Sequence, residues 1–168
     1  MKTLFISALI LTGLQFAVFE ASSQTAPAQD TDFVKKAAEG GMLEVNLGQL
    51  ALKNGESQEV KNFAKMMVDD HTKVNGELMA LVKKKKMEVP AQLGSTKKMM
   101  TDSLASQSGS SFDMLYMNMM IASHEETIGL FQDESTGGKD ADLKKWAGAK
   151  IPALKHHLEM AKKLFKTN

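Results

Sequence analysis

One pattern governs most of this chain. Past about residue 31, apolar side chains recur every three or four residues through four long stretches, and no stretch alternates with the two-residue period of a strand. A helix with one apolar stripe is stable in water only when that stripe is covered. Four such stripes in a chain of 168 residues therefore point to an all-α four-helix bundle. The first helix is expected over 32–54, with Phe33, Ala37, Gly41, Leu47, Leu50 and Ala51 on one face and Thr31 or Asp32 as its cap. Asn54-Gly55-Glu56-Ser57 reads as a short turn with a fresh cap. The second helix follows, with Val60, Phe63, Ala64, Met67, Val68, Val74, Leu78, Leu81 and Val82 inward, and it ends in the Lys83–Lys86 run ahead of Pro90. That run suits a solvated helix end, or a surface for anionic lipid or polysaccharide.

Residues 87–110 are rich in Ser and Gly and are long for a hairpin connection, with a short helix expected near 96–104. The third long helix is expected over 111–134 and the fourth over 140–166, joined by the Ser135–Lys139 turn. Pro152 falls inside the fourth helix, where a kink or local break is expected because proline lacks the backbone donor and crowds the preceding turn.

The first residues read as a separate segment. Lys2, an apolar run from Leu4 to Phe19 and the small residues Ala21-Ser22-Ser23 have the layout of a signal peptide over 1–23, followed by a linker over 24–31 and the bundle over 32–166. An uncleaved anchor helix is the alternative, since the run is near the lower limit of about 17 residues for a bilayer span. No later segment has a membrane-spanning pattern, so an exported chain, periplasmic or at the cell envelope, is expected.

Composition narrows the chemistry. With 21 basic and 20 acidic residues the formal charge is +1, and every basic residue is lysine. Without the guanidinium fork or a positive field, nucleic acid is not an expected partner. The absence of cysteine excludes disulfides, a thiolate nucleophile and cysteine-ligated metal. No Ser–His–acid or phosphate-loop pattern offers another chemistry.

Each long helix carries one ligand-type side chain on its inner stripe. Neighbours three, four and seven residues away place Glu44 among Ala37, Gly40, Gly41, Leu47, Gly48 and Ala51. His71 falls among Ala64, Met67, Val68, Val74, Asn75 and Leu78, and His124 among Met117, Met120, Ile121, Ile128 and Phe131. His157 has Ala153, Leu154, Met160, Ala161 and Leu164 around it, whereas His156 is rotated outward. At ~1.5 Å rise per residue the four lie within about 9 Å along the axis if the long connector crosses the bundle, and spread to about 15 Å if it does not. The connector is long enough to cross, which favours a crossover between the second and third long helices.

Three imidazoles and a carboxylate converging from four helices fit one divalent transition metal: zinc, copper, iron or manganese. Asp70, Glu125 or backbone carbonyls are candidates to orient the imidazoles. The alternative is a metal-free network in which Glu44 pairs with one imidazolium, as in an envelope-stress or interaction module. Met67, Met120 and Met160 lie near the histidines, which suits either soft-metal ligation or simple core filling. Gly40, Gly41 and Gly48 suit either close helix packing or an opening beside the site.

The segments Phe33–Val45, Phe63–His71 and Ile151–Leu158, above all Met67-Val68-Asp69-Asp70-His71, resemble the signature stretches of a secreted bacterial family with a ferritin-like bundle. That family is a domain of unknown function whose members often carry an outer-membrane label. The resemblance covers about residues 30–165 and implies a ferritin-like fold, export, and Glu44, His71, His124 and His157 as the polar core positions; it supplies no reaction. Ferritin-like di-iron sites place a Glu three residues before a ligating His. Here Val68, Ile121 and Leu154 occupy those positions, which disfavours a di-iron oxidase and favours a single ion, for metal handling or oxidative stress. Ligation needs neutral imidazoles, so binding is expected to weaken below about pH 6.

Overall fold

The computed structural model describes residues 27–167, which form α1 (Ala28–Asn54), α2 (Gln58–Lys85), α3 (Ser95–Ala105), α4 (Gly109–Gly137) and α5 (Ala141–Thr167). The signal peptide expected over 1–23 lies outside the described residues. Among the described residues there is no strand, and no helix is long and apolar enough to cross a membrane. The four long helices form the bundle and α3 lies within the connector. Packing is closest within the hairpins α1–α2 and α4–α5; α1 also packs on α4, and α2 meets α5 more sparsely.

Two aspartates fix the direction of the hairpins. The carboxylate of Asp113, near the start of α4, accepts the backbone N–H groups of Glu56 (3.0 Å) and Ser57 (2.7 Å) in the α1–α2 turn. Asp30, near the start of α1, does the same for Lys139 (2.8 Å) and Asp140 (2.9 Å) in the α4–α5 turn. Each hairpin's turn is thus held by the first turns of the other hairpin, and α4 must start at the end where α1 finishes. The connector therefore crosses the full bundle, as the axial arithmetic favoured. It is strapped to α1 by Glu39, which accepts the Gly94 N–H at 2.6 Å and pairs with Lys97 at 3.2 Å, and it contributes the fully buried Leu104 to the core.

Several boundaries differ from the sequence expectations for physical reasons. The first helix starts at Ala28 rather than near 32, so 28–31 of the expected linker is helical; Asp30's bonds across the bundle hold this extra turn in place. Neither Thr31 nor Asp32 is its cap. Ser57 does cap α2, accepting from the Val60 N–H at 3.4 Å. The lysine run ends α2 with Lys86 in the left-handed region (φ 54°), while Lys85 reaches Asp140 (2.7 Å) and Asp142 (2.9 Å) and ties α2 to the second hairpin. The helix α5 runs through Pro152 without a break. Pro152 is exposed, and buried Ala147, Leu154 and Ala161 anchor the helix on either side, which offsets the missing hydrogen bond.

The core is divided into two apolar clusters. One contains Leu43, Leu47, Phe63, Met67, Phe112, Tyr116 and Met120, towards the α1–α2 turn. The other contains Phe33, Val34, Leu78, Val82, Phe131, Leu143 and Leu154, towards the α4–α5 turn, with Phe33 edge-on to Phe131 at 5.1 Å between ring centroids. A layer of polar side chains separates them.

Candidate metal centre

That layer is built by helix register. On α2, Met67 belongs to one cluster and Leu78 to the other, and His71 falls between them; Met120 and Ile128 bracket His124 on α4, and Leu154 and Ala161 bracket His157 on α5. All three imidazoles are buried, and each offers a ring nitrogen within 4.8 Å of the others. Their ring centroids form a near-equilateral triangle with sides of 5.6, 5.6 and 5.4 Å.

Hydrogen-bond partners assign the tautomers of two rings. Nδ1 of His124 lies 2.9 Å from the Met120 carbonyl oxygen, which only accepts, so Nδ1 donates and Nε2 keeps its lone pair. Nε2 of His157 lies 3.0 Å from Asp70 Oδ2 and donates to that carboxylate, leaving the lone pair on Nδ1. These two lone-pair nitrogens face one another at 3.4 Å. Nε2 of His71 is buried and has no hydrogen-bond partner. Two nitrogens bound at about 2.0–2.1 Å to one tetrahedral ion stand roughly 3.3–3.4 Å apart. The donor set and its spacing fit a metal ion.

Electrostatics keeps two of the imidazoles, His71 and His157, neutral. Burial, followed by the proximity of His124 and His157, pushes the His71 pKa down to about 3. Burial and His124 also lower that of His157, with Asp70 working against them. Neutral rings are the form that ligates metal.

Glu44 lies on the other side of His124. Its Oε1 accepts the Ser123 hydroxyl at 2.5 Å and stands 3.6 Å from His124 Nδ1, while Oε2 is buried without a partner. Burial raises its pKa, opposed by His124 and Ser123. The structure thus brings His71, His124 and His157 into one group and places Glu44 beside that group rather than within it. Of the orienting acceptors expected from sequence, Asp70 and the Met120 carbonyl serve, whereas Glu125 pairs with Lys162 at the surface. Met67 and Met120 are fully buried in an apolar cluster, and His156 is exposed.

Ser123 was not singled out by the sequence reading, and neither were the buried acids Asp30, Asp113 and Glu134. A signal for two of them exists. Asp113 has buried Tyr116, Met117 and Met120 at offsets of three, four and seven, and Asp30 has buried Phe33, Val34 and Ala37, the same test that singled out Glu44.

The triad adjoins a cleft of about 230 Å³ between α2 and α5. Glu44, His71 and His157 line it, together with Phe131, Trp146 and Leu154. At its edge Glu77 accepts the Trp146 indole N–H at 3.2 Å and pairs with Lys150.

Solved structures resemble this fold at low sequence identity. The Cu(II)-bound form of CopM superposes with a TM-score of 0.70 at 19% identity, covering 82% of this chain and 96% of that one. A DUF305 fragment from Deinococcus radiodurans gives 0.74 at 10% identity, covering 86% and 100%. A DUF305 protein from Streptomyces coelicolor gives 0.69 at 12% identity, covering 81% and 91%. These likenesses establish the all-α bundle fold. No curated protein matches the chain. Residues 17–164 match the family described as a domain of unknown function, DUF4142, and the chain belongs to that family.

Proposed function

We propose that this protein binds one transition-metal ion through His71, His124 and His157 and serves in metal handling outside the cytoplasm. The observation that carries the reading is the pair of lone-pair nitrogens, His124 Nε2 and His157 Nδ1, facing each other at 3.4 Å, with His71 offering a ring nitrogen to the same group within 4.8 Å. Lone pairs opposed in this way repel unless a cation lies between them. Glu44, a ligand candidate from sequence, serves in this reading as a nearby countercharge held by Ser123. Copper is the first metal to test among copper, zinc, iron and manganese, because solved structures of the similar CopM are of its Cu(II)-, Cu(I)- and Ag-bound forms and imidazole suits copper. The signal-peptide pattern of the first residues supports export.

Elemental analysis of untagged protein isolated from its native compartment, followed by titration of the metal-free form, tests the proposal. One ion per chain is expected, lost in His71→Ala, His124→Ala and His157→Ala. No bound ion, together with no thermal shift from any of the four metals, would overturn it in favour of the metal-free His–Glu network.

A further inference from the structure

We infer that the cleft between α2 and α5 is a binding site for a small organic acid whose carboxylate completes the coordination of the metal. The inference rests on the proposed metal site and deepens it. Three observations carry it.

First, the ligand set within the triad is incomplete. Three imidazoles account for the grouped donors, and Glu44 lies beside His124 with one oxygen held by Ser123. A transition-metal ion takes at least four ligands in such sites, so three protein ligands would leave a position for an outside one. Second, the charge around that position stays positive. The imidazoles bring none of their own, and the carboxylates of Glu44, Asp70 and Glu77 do not fully offset a divalent ion together with Lys73 and Lys150, which favours an anionic ligand over a neutral one. Third, the cleft reaches the triad and has both an apolar and a charged part. His71 and His157 line it, Phe131, Trp146 and Leu154 form its apolar side, and Lys73, Glu77 and Lys150 are charged groups along it. An apolar cavity of about 150 Å³ takes up benzene. At about 230 Å³ the cleft has room for a ring-sized body with a carboxylate attached.

The packing explains why the opening is on this side. The α2–α5 contact is the loosest between neighbouring long helices, and Gly40 on α1 lines the cleft with no atom within 4 Å of where a Cβ would stand. On its other sides the layer is closed by the two apolar clusters.

The test uses copper(II)-loaded protein, with benzoate and acetate as probes and the visible absorption and electron paramagnetic resonance spectra of the copper as readouts. Both acids should alter the copper spectrum, with benzoate at least tenfold tighter than acetate because its ring meets the apolar walls. Ala149→Phe, an exposed α5 position lining the cleft, should weaken benzoate at least tenfold while copper affinity stays within about twofold. A copper spectrum unchanged by either acid leaves water as the fourth ligand and overturns the inference alone. Equal affinity for the two acids, or benzoate binding unaffected by Ala149→Phe, also overturns it. Failure of the parent protein to bind copper or another of the four metals removes the metal site itself, and this inference with it.

Discussion

Asp70 on α2 and His157 on α5 are joined across the looser side of the bundle, with Oδ2 3.0 Å from Nε2. This pair does two things at once. It fixes the His157 tautomer so that Nδ1 faces the triad, and it supplies negative charge that a bound cation would favour. Asp70 is half exposed, so the pair is worth little to folding by itself. Asp70→Ala is therefore expected to lower metal affinity about 10–100-fold, with a change in stability below about 1 kcal/mol. Asp70→Asn keeps an oxygen acceptor and should lose less. Competition titration against a chelator of known affinity, alongside urea unfolding of the metal-free proteins, separates the two effects.

The pH dependence of metal binding should be shallower than free imidazoles would give. Protons compete with metal only where the folded protein takes them up. Burial and the neighbouring rings hold His71 down to about 3, and His157 is lowered as well. His71 and His157 therefore contribute less to the weakening expected from sequence below about pH 6. Affinity measured by competition at pH 7.5 and 5.5 should differ by less than about tenfold, whereas three ordinary imidazoles, each protonating near pH 6.5, would give a steeper loss.

Glu134 gives the opposite sign in stability. It is buried in α4, and neither carboxyl oxygen has a hydrogen-bond partner. Burial first, then the charge of Asp30 and the hydrogen bond that a protonated Glu134 can donate to it, push its pKa up to about 7. Because the folded pKa lies above that of the unfolded chain, the folded state binds the proton more tightly. The stability this contributes is fully present below about pH 4.3 and is lost as pH rises through 7. Glu134→Gln stays neutral throughout. It should be more stable than the parent protein at pH 8 and lose that advantage at pH 5, as read from the urea midpoint at each pH.

Much of this architecture was legible because periodicity is a strong local signal. The inward histidines fell out of offsets of three, four and seven, and the axial arithmetic favoured the crossover that the two aspartate bridges establish. Details that depend on partners from another helix were not legible. Sequence shows that Glu44 faces inward but not that Ser123 on α4 holds it, because the relative rotation of two helices has no signature in either one. Asp70 is similar: its adjacency to His71 suggested an orienting role, yet the ring it meets belongs to α5. The start of α1 has no local signature for the same reason, since the bonds that hold its first turn come from the α4–α5 turn.

The glycines near Glu44 divide between the two roles that sequence left open, and the division is testable. A Cβ on Gly48 would stand 2.8 Å from Val68 Cγ2 and 3.2 Å from the Ala64 carbonyl oxygen, so α1 and α2 meet here nearly backbone to backbone. At Gly40 a Cβ would meet nothing within 4 Å. In a helix interior, Gly→Ala gains about 0.5–1 kcal/mol from reduced backbone freedom. Gly40→Ala should show that gain. At Gly48 the same gain is opposed by overpacking of typically 1–3 kcal/mol, since the carbonyl belongs to a helix that cannot yield without shifting. Gly48→Ala should therefore lower stability by roughly 0–2.5 kcal/mol, the range left when the helix gain is subtracted from the overpacking cost. Urea unfolding of the two variants under identical conditions should thus move their midpoints in opposite directions, and a stabilised Gly48→Ala would mean that α1 and α2 are free to separate at this point.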